Sequence, residues 1–208
     1  MTFRPSVAVF DYGIGNLRSA QKALEFAGAE ATLTSDKSIL KEADGVVLPG
    51  VGAFGRCAEA LKESDLFDLA ASMAKTAALG GKPFLGICVG MQLLYSGSEE
   101  SPSVDGLGVI SEEVKALEGD VKIPQMQWNK LKFNVSHPMF EGVERDTWVY
   151  FVHSYCVKTD PVYVTSETIY DYSYCSSIQR DNIFGVQFHP EKSQKAGQQL
   201  INNFLGLS

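Results

Sequence analysis

The four cysteines, Cys57, Cys88, Cys156 and Cys175, form no C-x-x-C pair, and none stands beside a histidine in a metal-ligand pattern. That excludes a zinc knuckle or a thioredoxin-type redox centre, and it predicts reduced thiols in a cytosolic protein without structural metal. Long apolar runs are also missing, and none approaches the roughly 20 residues of a membrane span. The opening "MTFRPSVAVFDYG" has only a short apolar stretch that runs into acid and glycine, without the h-region or cleavage site of a leader. Positive charge is scarce: 18 Lys and Arg stand against 25 Asp and Glu, for a formal net charge of −7. Such a balance argues against nucleic acid or an anionic membrane as the main partner. Histidine occurs only three times, so any search for a catalytic base is short.

What is present reads as an ordinary soluble domain. Apolar residues make up 45 % and charged residues 21 % of 208 positions, which predicts one domain over residues 1–208. The first half alternates strand and helix signals. "SVAVFDYG" reads as a strand, and "NLRSAQKALEFAG" as a helix with Leu17, Ala20, Leu24 and Ala27 on one face and Gly28 as its stop. "EATLTSD" and "ADGVVLPGVG" follow as strands, then "FGRCAEALKESDLFDLAASMAKTAALGG" as helices. "KPFLGI" reads as a fourth strand and "VGMQLLYSG" as a helix. This alternation predicts right-handed βαβ units and a doubly wound α/β fold, a mostly parallel sheet with helices on both faces. From about residue 103 the runs "LGVISEEVKAL", "TWVYFVHSYCVK", "VYVTSETI", "YCSSIQR" and "IFGVQFH" predict antiparallel or mixed strands, closed by the helix "QKAGQQLINNFLGL". The region from Gly97 to Asp105 reads as a flexible loop.

"DYGIGNLR" offers glycines between a strand and a helix. The dinucleotide fingerprint needs a third glycine where Arg18 stands, and no Gly-Lys-Ser/Thr follows, so a tight turn is the better reading and no cofactor is expected. "GICVG" has the layout of a nucleophile elbow, with Cys88 in place of serine between Gly86 and Gly90. The following helix start favours a thiolate and offers backbone N–H groups to an oxyanion. A free cysteine is more often a small buried residue, so the elbow alone does not make Cys88 a nucleophile.

A base decides between them. His137 in "VSHPMF" has no carboxylate beside it, and His153 in "VYFVHSY" alternates with apolar neighbours. His189 ends a strand in "FGVQFHPEKS", with Glu191 two residues on. In an extended segment that spacing projects both side chains to one side, so the carboxylate holds the imidazole for a thiol.

"GICVGMQ" together with "FHPE" resembles the triad-type, class I glutamine amidotransferases. The ordered motifs "FDYGIGN", "VVLPGVGAFG", "PQMQWN", "YFVHSY" and "GVQFHPEKS" further resemble the branch that serves as glutaminase subunits of imidazole glycerol phosphate synthases. The resemblance implies a Cys88–His189–Glu191 triad that hydrolyses glutamine through a thioester. It implies an oxyanion site in Gly50, Val51 and Gly52 with Val89, and a substrate pocket formed by Gln92, His153, Ser154 and Tyr155. It places Asn16, Pro124, Met126, Trp128, Asn129 and Lys192 toward a separate (β/α)8-barrel synthase subunit that receives the ammonia in a heterodimer. "PQMQWN" is expected to be an apolar surface loop. The branch usually has glycine before its tryptophan, and Gln127 stands there, which predicts a different loop geometry or partner fit. Two other readings are a stand-alone hydrolase of the same fold and a non-catalytic scaffold. The surface loop argues against the first and the intact triad against the second.

Overall fold

The computed structural model describes residues 4–133 and 137–208; the first three residues of the stretch read for a leader, and 134–136 before His137, lie outside the described residues. Its centre is a seven-stranded sheet. The strands β1 (Ser6–Phe10), β2 (Glu30–Thr34), β3 (Gly45–Gly50) and β4 (Phe84–Cys88) alternate with α1 (Leu17–Phe26), α2 (Lys37–Glu42), α3 (Phe54–Glu63) and α4 (Phe67–Ala77). Strands β1, β3 and β4 are buried almost end to end, as continuous apolar runs in a parallel sheet covered on both faces must be. The edge strand β2 is only half-buried. Helix α1 stops where Gly28 takes a positive φ, with Leu17, Ala20 and Leu24 buried as its spacing predicts.

After β4 come α5 (Val89–Gln92), β5 (Tyr95–Ser98), β6 (Ile110–Ala116), β7 (Gln125–Lys130), β8 (Trp148–His153) and β9 (Tyr155–Val157). Then β10 (Val164–Tyr170), β11 (Tyr172–Arg180) and β12 (Ile183–Val186) return to the main sheet, and α6 (Gln194–Leu205) closes the chain beside α1. The order across the main sheet is β10-β11-β12-β4-β3-β1-β2. The five strands from β12 to β2 run parallel, and β11 and β10 are antiparallel additions. The mixed second half is therefore as expected. Sheet order reverses direction at β1, and ligands of such sheets sit outside the carboxyl ends of strands near that point. Among the described residues no helix is long and apolar enough to cross a membrane.

Three local expectations are corrected. The helix read over "VGMQLLYSG" is a single turn, followed by strand β5. The carbonyls of Leu93 and Leu94 are taken by the backbone N–H groups of Leu107, Val109 and Ile110, so the helix has no acceptors with which to continue. The stretch from Gly97 to Asp105 is not a free loop. Gly97 and Ser98 lie in β5, and Glu100 accepts the Phe54 N–H at 2.7 Å, capping α3. "PQMQWN" is not a loop but strand β7, paired antiparallel with β8 from Gln125↔His153 to Lys130↔Trp148. Gln127 sits in the middle of that ladder opposite Phe151 and has no positive φ, so glycine is not needed there for its backbone angle.

Candidate active site

Cys88 ends β4 and begins α5 at φ 55° and ψ −113°. A non-glycine residue held at positive φ is a strained conformation that surrounding contacts must enforce. Here the enforcing contacts come from glycines. A Cβ at Gly90 would collide with the Leu48 carbonyl oxygen, and one at Gly50 would lie 2.7 Å from the Gly90 nitrogen. Close approach of two backbone segments, the end of β3 and the start of α5, thus fixes the elbow. Gly90→Ala is expected to destabilise the fold by about 1–3 kcal/mol through overpacking; an unchanged melting temperature would show that the elbow has room.

His189 is itself extended, at φ −101° and ψ 97°, but Glu191 lies in a one-turn 3₁₀ segment, Pro190–Lys192, so the pair does not share one extended run. Pro190 starts that turn, yet the pairing survives: His189 Nδ1 lies 2.8 Å from Glu191 Oε1, with both side chains 2 % exposed. Because the carboxylate only accepts, Nδ1 carries the proton and Nε2 is left for another group. Nε2 is buried and makes no hydrogen bond, while the Cys88 thiol leans on the Val152 carbonyl at 3.8 Å. Burial by itself pushes the imidazole down, but its interactions with Cys88 and then Glu191 outweigh that and hold its pKa above the ordinary range. A proton is therefore stabilised on this ring when sulfur and carboxylate are both anionic. Asn16, expected to face outward, also reaches Glu191 Oε1, with its Nδ2 3.5 Å away.

The other histidines do not compete. His153 is buried with Nδ1 on the Tyr155 carbonyl at 2.8 Å and Nε2 on the Tyr174 hydroxyl at 2.9 Å. Burial pushes its pKa down to about 4, so it is a neutral wall residue. His137 binds the Gln179 side chain and the Met139 N–H. Nor do the other thiols compete, since burial raises Cys57, Cys156 and Cys175 above the ordinary thiol range.

Cys88 and His189 open into one cavity of about 290 Å³, whose wall includes Val51, Gly52, Val89, Gln92, His153, Ser154 and Tyr155. Every residue expected around the substrate is thus at the cavity except Gly50, which lies behind it against Gly90. Glu100 adds a carboxylate that the sequence reading did not single out. A larger groove of about 540 Å³ contains Cys156 and Cys175 but no histidine. Two hydrogen bonds bracket the Gly50–Val51 peptide at the end of β3: the Tyr12 hydroxyl donates to the Pro49 carbonyl at 2.5 Å, and the Cys57 thiol to the Val51 carbonyl at 3.3 Å.

The residues expected to face a partner divide. Pro124 lines the cavity itself, and Asn129 is tied to the Ile169 carbonyl at 2.8 Å. Met126 and Trp128 are exposed, at 63 % and 38 %, on the face of β7 that carries Lys130. Their cross-strand partners Val152 and Tyr150 belong to the same face, as does exposed Trp148. Lys192 lies over the Tyr150 ring at 5.9 Å, which brings it to the edge of this patch.

The chain as a whole matches known proteins. The model of the family "Glutamine amidotransferase class-I" matches residues 8–206. The chain is 44 % identical to the imidazole glycerol phosphate synthase subunit HisH of Nitrosomonas europaea, over 96 % of this chain and 97 % of that relative. It is 46 % identical to the subunit of the same name from Aquifex aeolicus, over 94 % of each chain. Among solved structures, PurLQS from Thermotoga maritima superposes with a TM-score of 0.75 at 24 % identity, covering 98 % of this chain and 99 % of that one, which supports the fold alone. The chain belongs to the class I glutamine amidotransferases and, within them, to the family of HisH subunits of imidazole glycerol phosphate synthase.

Proposed function

We propose that residues 1–208 act as one glutaminase domain, in which Cys88, His189 and Glu191 hydrolyse glutamine to glutamate and ammonia. One observation carries this reading: the strained elbow cysteine shares a cavity with a buried, carboxylate-held imidazole whose Nε2 is unpaired. His189 Nε2 takes the thiol proton, and the Cys88 sulfur attacks the side-chain amide carbon of glutamine. The oxyanion that forms is held by backbone N–H groups of Val89 and of Val51 or Gly52. His189 then protonates the leaving nitrogen, ammonia departs, and a γ-glutamyl thioester remains on Cys88. Water, deprotonated by His189, cleaves it to glutamate and restores the thiol. Glu191 keeps the ring in one tautomer and balances its charge. Glu100 gives the substrate's ammonium a carboxylate, and Ser154 and Tyr155 shape the pocket around its head group. Gln92 Nε2 is already committed to the Tyr155 carbonyl and the Gln187 side chain, each at 3.0 Å, so only its oxygen is left for substrate.

The ammonia passes to a (β/α)8-barrel synthase subunit in a cytoplasmic heterodimer. There it enters the ribulosyl aminoimidazole-carboxamide nucleotide, giving imidazole glycerol phosphate and an aminoimidazole-carboxamide ribotide for histidine biosynthesis. The patch of Met126, Trp128, Trp148 and Tyr150 supports a docking partner, because a stand-alone hydrolase has no use for exposed aromatics on a paired strand. Val152 joins that face to the nucleophile, since its carbonyl receives the Cys88 thiol. Asn16 and Lys192 join the same side to Glu191, through a direct contact and through chain adjacency.

Docking also sets the rate. The carbonyls of Pro49 and Val51 are anchored by Tyr12 and Cys57, and the Gly50–Val51 peptide lies between them. Gly50 is paired with Cys88 at the end of the β3–β4 ladder, so turning that peptide as a unit to aim the Val51 N–H at the oxyanion requires this pairing to be released. Losing one oxyanion donor costs about 10² to 10³-fold in rate. The partner favours the active orientation by binding it more tightly. Glutamine turnover is therefore expected to be slow for the free subunit, faster with the barrel, and faster by about 10²-fold or more with barrel and nucleotide ligand together. A free subunit already at full speed would contradict this.

A further inference from the structure

Gln187 has no part in the chemistry above, yet it touches the nucleophile. It is fully buried, and its Nε2 lies 3.6 Å from Cys88 Sγ. Its Oε1 accepts from Gln92 Nε2 at 3.0 Å, and the same Gln92 nitrogen donates to the Tyr155 carbonyl at 3.0 Å. A backbone carbonyl only accepts, so the end of Gln92 that meets it must be nitrogen. With both N–H groups of Gln92 committed, the end of Gln187 facing it must be oxygen. The end of Gln187 facing sulfur is then an amide donor. The orientation is imposed by a backbone carbonyl two residues beyond the neutral wall residue His153, which also donates to it.

We propose that Gln187 is a further catalytic residue: its side-chain N–H donates to the Cys88 thiolate, and Gln92 acts as the positioning residue that keeps that N–H aimed at sulfur. This rests on the reading of Cys88 as the nucleophile. A hydrogen bond to an anionic acceptor is stronger than one to its neutral form, so the contact favours thiolate over thiol. It opposes the Val152 carbonyl, which as an acceptor favours the protonated thiol. The benefit arises twice per turnover. The thiolate is stabilised before attack, and again when it leaves the tetrahedral intermediate formed by water on the thioester.

The test is the rate of Cys88 alkylation by iodoacetamide, followed on the Cys88 peptide by mass spectrometry across a range of pH, beside glutamine hydrolysis by the complex with the barrel. Gln187→Leu keeps the volume and removes the donor. Gln187→Glu keeps the shape and the acceptor for Gln92 but turns a carboxylate oxygen toward sulfur. At neutral pH alkylation is expected to fall by about tenfold or more in Gln187→Leu and further in Gln187→Glu. The pH profile moves toward alkaline in both, and kcat falls while KM for glutamine changes little. A residue that only fills space would leave the Gln187→Leu profile where it is in the wild type, and that result overturns the proposal. If Gln187→Leu does not fold, a wild-type profile in Gln187→Glu overturns it equally. Complete alkylation of Cys88 that left glutamine hydrolysis intact would instead remove the nucleophile assignment, and the role of Gln187 with it.

Discussion

Cys88→Ala and Cys88→Ser are expected to abolish glutamine hydrolysis while the fold stays intact. Alanine removes the sulfur on which the proposed thioester forms. Serine is nearly isosteric but is not deprotonated by a neighbouring imidazole to the same extent, so it is a far weaker nucleophile here. Neither change disturbs the glycine contacts that hold the elbow, and both residues meet the same positive φ that cysteine already tolerates. The melting temperature should therefore move by only a few degrees. With the barrel present, synthesis from added ammonia should continue at the wild-type rate, because the proposed function assigns that chemistry to the partner. Hydrolysis retained by a clean Cys88→Ala preparation would remove Cys88 from the mechanism.

The second large effect is at His189. His189→Ala deletes the group that moves the proton in every step of the proposed mechanism, and a general base is worth about 10² to 10⁴-fold. A loss of at least that size is expected in kcat. The same change leaves the Glu191 carboxylate buried with only Asn16 at 3.5 Å, so a lower melting temperature should accompany it. Glu191→Gln is expected to be milder, about 10 to 10²-fold in kcat, since an amide oxygen still accepts from Nδ1 but no longer balances the imidazolium. Near-normal activity in His189→Ala, together with loss of activity in His137→Ala, would identify a different base.

The elbow and the His-x-Glu pair were legible in the sequence because each is a local pattern. Two glycines around Cys88 forecast the tight approach that Leu48, Gly50 and Gly90 make in space, and two-residue spacing survived even though Pro190 turns the segment into a 3₁₀ turn. The same spacing runs back one step to Gln187, which shares its side with His189, so that residue was legible and was missed. The amphipathic helix α1 could be read from its period, whereas α2 has one buried residue, Leu40, and is marked only by Asp36 accepting the Ser38 N–H. The one-turn α5 was not legible. Its residues are buried all round, so periodicity does not separate helix from strand, and its length is set by distant N–H groups at Leu107 to Ile110. Strand β7 was misread for a more informative reason. Its polarity is inverted, with Gln125 buried toward the cavity side and Met126 and Trp128 turned out. A strand that alternates the wrong way for a core looks like a loop, until the outward face is given a partner to meet.

The most direct measurement quenches the complex during steady turnover of glutamine and maps covalent adducts by peptide mass spectrometry. The expected result is a γ-glutamyl group on the peptide carrying Cys88, labile to hydroxylamine and absent from the Cys88→Ala protein. Turnover with no adduct on that peptide, or an adduct on the peptide carrying Cys57, Cys156 or Cys175, would contradict it.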